Sequence, residues 1–326
     1  MVDIDALATL WLRAPREGAG DVLAALAGAG AGTGVLREVE ARLAARSSSG
    51  LSDARGGTRR PARILSVAGS DSGGGAGIQA DLKTILRLGG YGMTALTAVT
   101  VQDTRGVAGV WPVPPAVVAE QIRAVVGDIG IDAVKTGLMG DAATVAAAAG
   151  ALGPGLSVPL VVDPVMRAKG GAQLLDGAGV HALRRDLFPI ARLVTPNLPE
   201  AQALTGREVA TRAQREEAAR ALRAMGAAAV LLKGGHGTGP HVLDVLADGQ
   251  SLVWFRGSRL QGPHTHGTGC TLSAAVATGL GQGMSLELSV LRALTFVRAA
   301  MLAAPGFGHG HGPLGHGAGD LPDPFL

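Results

Sequence analysis

The sequence predicts an α/β fold built on a mostly parallel sheet. Two observations carry this. From Pro61 onward, short apolar runs alternate with amphipathic segments, the pattern of strands buried on both faces beneath covering helices. Near the end, two strand-like runs flank Asp248-Gly249, a hairpin signal, so an antiparallel ribbon is expected on the same sheet.

The elements follow in order. Residues 64–68, 95–101, 133–135, 160–162, 193–194 and 229–232 read as buried strands. Residues 76–88, 115–126, 142–152, 178–187 and 214–225 read as the helices between them. Residues 242–246 and 252–255 form the hairpin, and helices at 271–280 and 286–303 close the pattern. The first 46 residues are a weakly patterned helical extension of unknown role. Ile4, Leu7, Leu10 and Trp11 fit one face, and Val35, Leu36, Val39 and Leu43 another. Residues 47–61, rich in Ser, Gly and Arg, read as a flexible linker. The main domain is expected over 62–326, and the extension reads as dispensable, because no chemistry-bearing cluster lies in it.

Composition excludes several classes. In 326 residues, hydrophobic content is 47% and charged content 17%, which rules out a disordered chain. Net charge is +3, aromatics are 3%, and no basic run exceeds two residues, so a nucleic-acid partner is not expected. No unbroken apolar stretch reaches the length of a membrane span, and no basic leader precedes one. A single cysteine, Cys270, excludes a disulfide framework and fits a reducing compartment, so the expected location is the cytoplasm.

Four segments carry chemistry. Gly69-Ser70-Asp71-Ser72-Gly73-Gly74-Gly75-Ala76-Gly77 follows the first main strand and opens a helix. It is either a tight turn or an anion cradle. It lacks the acidic residue of a dinucleotide site, and the chain has no P-loop motif. His266-Gly267-Thr268-Gly269-Cys270 leads into a helix, where successive amides form a concavity for an oxyanion and the helix start is expected to acidify the thiol. Thr195-Pro196-Asn197-Leu198-Pro199-Glu200 places an amide and a carboxylate three apart. That spacing serves a hydrated Mg²⁺ or a helix cap equally. Leu232-Lys233-Gly234-Gly235-His236 ends a strand with a lysine able to meet phosphates, or is an ordinary strand exit. The His309 and His311 pair has poor zinc spacing and reads as a loop packed near the site.

Together and in this order, these segments resemble the hydroxymethylpyrimidine/phosphomethylpyrimidine kinases of thiamine biosynthesis, in the ribokinase-like superfamily. The runs that carry the resemblance are AGSDSGGGAGIQADLKT at 68–84, QDTRG at 102–106, VKTG at 134–137, VDPVM at 162–166, TPNLPE at 195–200, LKGGH at 232–236 and THGTGC at 265–270. The match covers about residues 62–316. It implies a ribokinase-like three-layer α/β/α sandwich, a homodimer, and ATP- and Mg²⁺-dependent phosphorylation of 4-amino-5-hydroxymethyl-2-methylpyrimidine and then of its monophosphate. By the resemblance, Gln102 reads the pyrimidine edge, Asp81 and the Ala76 backbone line the pocket, and Val165 lies against the ring. Gly267, Thr268 and Gly269 hold the transferring phosphoryl group, and Cys270 resembles the catalytic base. Asn197 and Glu200 resemble a Mg²⁺/phosphate pair acting through water, with Asp163 and Lys233 at the nucleotide. Asp103, Arg167, Gly170 and His264 depart from the family pattern, and a tail follows His316. Rival readings are a pyridoxal kinase of the same superfamily, a sugar or nucleoside kinase, and a non-catalytic vitamin-precursor binding protein.

Overall fold

The computed structural model describes residues 1–13, 19–49, 60–168 and 170–317. In chain order the elements begin with β1 (Val2–Asp3), α1 (Ile4–Arg13), α2 (Ala19–Gly28) and α3 (Thr33–Ser49). Then come β2 (Arg63–Ala68), α4 (Gly77–Arg87), β3 (Tyr91–Leu96), β4 (Ala98–Gln102) and β5 (Val107–Pro112). These are followed by α5 (Pro115–Asp128), β6 (Ala133–Thr136), α6 (Ala142–Leu152), β7 (Leu160–Val162) and α7 (Gly177–Ala182). The rest are β8 (Leu193–Val194), α8 (Leu198–Thr205), α9 (Arg212–Ala224), β9 (Ala229–Leu232), β10 (His241–Asp248), β11 (Ser251–Ser258), α10 (Thr268–Gly281) and α11 (Leu286–Leu302).

Nine strands make one sheet in the order β1-β11-β10-β9-β8-β7-β6-β2-β3. All neighbours are parallel except β10, which is antiparallel to both β9 and β11. Alternate residues of each central strand enter opposite cores, because side chains alternate across a sheet. Ile64, Ala133, Val161 and Leu231 pack with α4, α10 and α11 on one face. Leu65, Val134, Val162 and Leu232 pack with α5, α6, α8 and α9 on the other. The result is the three-layer α/β/α arrangement.

Three expectations change. The apolar run 95–101 is two strands: β3 ends at Leu96, the chain leaves the sheet at Thr97, and β4 pairs only with β5 in a separate ribbon. Val99 and Val101 stand exposed there while Ala98 and Thr100 are buried, the alternation of a one-sided ribbon. The hairpin turn centres on Gly249-Gln250, because Asp248 pairs with Ser251. Only Gly249 has positive φ there, at +59°, the type II′ pattern. Finally, the sheet does not start after Pro61. Val2 and Asp3 lie parallel to Phe255 and Arg256, and Val2, Ile4, Leu7, Leu26, Val35 and Val39 share one core with α11. Most of the proposed linker, 50–59, falls outside the described residues, as do Lys169 and the tail beyond 317.

Candidate active site

The parallel strands place their C-terminal ends side by side, where an open α/β sheet offers its crevice. Ala68 leads into the first glycine loop, Thr136 precedes Gly137, Val162 precedes Asp163, Val194 precedes Thr195, and Leu232 precedes Lys233. Sheet order alone therefore gathers most of the motif residues at one edge.

The two glycine loops meet back to back. A Cβ on Gly267 would lie 1.8 Å from the Gly75 carbonyl, and Gly267 has φ +82° as the N-cap of α10. No residue with a side chain fits that contact. Helix α10 starts at Thr268, so Cys270 lies inside its first turn, where amides have no intrahelical acceptor. The Gly77 amide at the start of α4 favours the ionised form of the Cys270 thiol, as the smallest of the influences on it.

A buried charge pair acts on the thiol. Lys135 Nζ is 2.8 Å from Asp81 Oδ2, which also accepts from Ser66 Oγ at 2.6 Å. Both members of the pair are fully buried. Asp81 Oδ1 and Thr136 Oγ1 are buried without a hydrogen-bond partner. Burial pushes the Asp81 carboxyl up even against the attraction of Lys135. Lys135 is raised, because Asp81, Cys270 and Asp163 together outweigh its desolvation. Burial pushes the Cys270 thiol up to about 11, with Lys135 pulling the other way. The expected acidification at the helix start is thus reversed: desolvation and the nearby carboxylates outweigh the amides.

On the neighbouring strand ends, Lys233 Nζ donates to Asp163 Oδ1 at 2.8 Å, and Thr195 Oγ1 donates to the same oxygen at 3.2 Å. A Cβ on Gly269 would approach Asp163 Oδ2 and Lys233 Nζ at 3.4 Å each, so this pair lies directly against the second glycine loop. Asn197 and Glu200 form a capping box. Asn197 Oδ1 accepts from the Glu200 amide at 2.9 Å, and Glu200 Oε2 accepts from the Asn197 amide at 2.7 Å. The helix-cap reading of this motif is therefore realised. Glu200 is nevertheless pushed up to about 7, chiefly by burial, with Lys233 opposing and Asp163 reinforcing. Two carboxylates share one ammonium here, an excess of negative charge that suits a divalent cation reached through water.

Beside the second glycine loop is a narrow cleft lined by Gln102, Asp103, Thr104, Arg105, Gly106 and His266. His311 and Ala168 complete it, and Val165 lies half-buried after β7. The histidine-bearing tail returns over this cleft: the His311 amide donates to the Thr104 carbonyl at 2.7 Å, and His266 forms a bridge with Pro313. The Ala76 amide donates to Asp71 Oδ2 at 2.7 Å. Sequence reasoning missed Lys135, Asp71 and His266 as site residues. The signal was present for the first, a lysine inside an otherwise apolar strand, which can be buried only beside an acid.

Comparison with known proteins agrees with this arrangement. The profile of the phosphomethylpyrimidine kinase family matches residues 71–315. The hydroxymethylpyrimidine/phosphomethylpyrimidine kinase of Streptomyces coelicolor is 49% identical over 257 residues, covering 79% of this chain and 95% of the relative. The thiamine biosynthesis bifunctional protein ThiED of Geobacter sulfurreducens is 51% identical over 253 residues, 78% of this chain but only 52% of that protein, so the chain spans about half of it. Among solved structures, pyridoxal kinase from Staphylococcus aureus in complex with pyridoxal superposes with a TM-score of 0.74 at 34% identity, covering 80% of this chain and 95% of that one. The phosphomethylpyrimidine kinase of Clostridium difficile gives 0.66 at 34% identity, with 74% and 99% covered. The family match leaves out the first 70 residues. The extent of the profile match, with the relatives at these identities, establishes that the chain is a phosphotransferase belonging to the phosphomethylpyrimidine kinase family.

Proposed function

We propose that this chain transfers the γ-phosphoryl group of ATP to the hydroxymethyl oxygen of 4-amino-5-hydroxymethyl-2-methylpyrimidine, and then phosphorylates the monophosphate to the diphosphate, in thiamine biosynthesis. The observation that carries this reading is the convergence of Cys270, the Gly267-Thr268-Gly269 turn and the Asp163–Lys233 pair at one edge of the sheet, beside the Gln102 cleft.

Phosphoryl transfer asks the protein for position and charge more than covalent chemistry. Gln102 offers both donor and acceptor to a ring carrying nitrogen and an exocyclic amine, with Val165 beside it. As the O–P bond forms and the bond to the β-phosphate oxygen breaks, the hydroxymethyl proton passes to Cys270 in its thiolate form, which becomes the thiol, and ADP departs. The first-turn amides of α10 hold the transferring oxygens, and Lys233 meets the phosphates. Mg²⁺, when bound, offsets triphosphate charge. Asn197 and Glu200 would hold it through water, near Asp163.

A homodimer through the β4–β5 ribbon accords with four exposed apolar side chains there, Val99, Val101, Val110 and Trp111. A cytoplasmic location accords with the single unpaired thiol. Among the described residues no helix is long and apolar enough to cross a membrane.

The deciding experiment measures ADP release from ATP and Mg²⁺ with hydroxymethylpyrimidine, with its monophosphate, and with pyridoxal. Turnover of both pyrimidines at far higher kcat/KM than pyridoxal supports this reading. The reverse order would assign the chain to the pyridoxal kinases, which stand among its structural neighbours.

A further inference from the structure

Three loops meet at one histidine. His266 Nε2 lies 2.8 Å from Asp71 Oδ2 in the first glycine loop and 3.3 Å from the Gln102 amide at the end of β4. His266 and Asp71 are both buried. Asp71 Oδ2 also accepts from the Gly75 and Ala76 amides, at 3.0 and 2.7 Å, and Oδ1 accepts from the Gly73 amide at 2.8 Å. Burial alone would raise this carboxyl, but the His266 contact and these amides bring it below its ordinary range.

Proton counting then fixes the rest. An ionised carboxylate only accepts, so His266 Nε2 carries a hydrogen and donates it to Asp71. A protonated ring nitrogen has no lone pair for a second donor. The Gln102 atom facing it must therefore be the carbonyl oxygen Oε1, opposite to the placement with Nε2 there; amide nitrogen and oxygen are assigned by their partners. The exchange also satisfies the other side. Thr100 Oγ1 lies 3.3 Å from the second amide atom and 2.8 Å from the Ser70 carbonyl. Its single hydrogen goes to Ser70, so it accepts from Gln102 Nε2.

We propose that Asp71 is a positioning residue that, through His266, locks the Gln102 amide in one orientation and so sets which hydrogen-bonding edge of a heteroaromatic substrate the site selects. This rests on Gln102 reading the pyrimidine. Locked this way, Gln102 keeps one N–H and one oxygen lone pair for the ring. Asp71→Asn keeps an oxygen toward the Gly75 and Ala76 amides and so toward His266, whereas Asp71→Ala leaves His266 Nε2 without its acceptor, which lets Nε2 accept and releases the Gln102 amide to invert.

Two measurements test this on the full-length protein. In ¹⁵N NMR of the substrate-free wild type, His266, assigned by difference from His266→Gln, should show Nε2 protonated. A protonated Nδ1 with bare Nε2 would overturn the proposal, whether or not the protein proves to be a pyrimidine kinase. In kinetics, Asp71→Ala should raise the KM for hydroxymethylpyrimidine about tenfold or more while leaving the KM for ATP in place, and Asp71→Asn should stay near wild type. Asp71→Ala should also shift preference toward the analogue carrying a hydroxyl in place of the 4-amino group. In a Gln102→Leu background Asp71→Ala should add almost nothing. Additive losses, or an equal rise in both KM values, would reduce Asp71 to a loop fastener. Wild type without turnover on either pyrimidine would instead remove the functional reading, with the NMR result still deciding the tautomer.

Discussion

Lys135 and Asp81 form an ion pair at 2.8 Å with neither side chain reaching solvent, close enough to the thiol of Cys270 to act on its charge. A buried pair contributes little net stability, but breaking it strands a charge. Asp81→Ala should therefore cost about 3–5 kcal/mol. The double variant Lys135→Met with Asp81→Leu should recover much of that stability, yet remain inactive, because Lys135 is also the cation beside the thiol. Denaturant midpoints and kcat on the same samples separate the two effects.

Cys270 should act late in the pH range. With the thiol pushed up to about 11, deprotonation rises about tenfold per pH unit across pH 7–10. If Cys270 is the base, kcat/KM follows that rise without a plateau below about pH 10. Cys270→Asp should bring the plateau down into the neutral range. Cys270→Ala should lose about 10²–10⁴ in kcat while ATP still binds. A flat profile with full activity in the alanine variant would leave Cys270 a packing role. Alkylation of the substrate-free enzyme at pH 7 should be slow for the same reason.

Asp244 gives a separate pH signature. It accepts from the Gly234 amide at 2.6 Å, and burial pushes it up to about 6. The folded state thus binds a proton that the unfolded chain releases near pH 4, so this group's contribution to stability falls as pH rises from about 4 to 6 and is level above. The loss is at most about 3 kcal/mol. Asp244→Asn keeps an acceptor for Gly234 and should remove this share of the pH dependence, leaving that of Glu200. Urea midpoints at pH 4.5 and 7 check it.

The N-terminal segment should matter for stability and not for chemistry. Leu7 is fully buried in the core shared with α11, and Leu7→Ala should cost roughly 2–5 kcal/mol with both KM values unchanged. Removal of residues 1–60 should leave an active enzyme of lower Tm. Intact Tm on truncation would show that this packing contributes nothing.

Most of the sheet was legible because its strands are short aliphatic runs buried on both faces, a pattern with few other solutions. The helix over Ala142–Leu152 matches the expected bounds, since Asp141 caps one end and Gly153 ends the other. The run 95–101 misled because a buried strand and one side of a ribbon share the same β-branched residues; the break at Thr97 rests on a tertiary contact, Thr97 Oγ1 to the Leu138 carbonyl at 2.5 Å. Val2–Asp3 was invisible because two residues carry no periodicity. At the site, glycine spacing located both loops, yet the direction of the Cys270 shift could not be read. That depends on Lys135, Asp81 and Asp163 arriving from three other strands and helices.

The pairing of Val2 with Phe255 has a consequence in time. During synthesis the first strand emerges from the ribosome long before its partner exists, and it must wait through some 250 residues of growing chain. The sheet's outer edge can close only after β11 appears, so that edge depends on a contact between distant parts of the chain. Until then the apolar side of α1 is a target for chaperones. A tag fused ahead of Met1 would ride at that closing edge, and its bulk would be felt in folding yield before it was felt in catalysis.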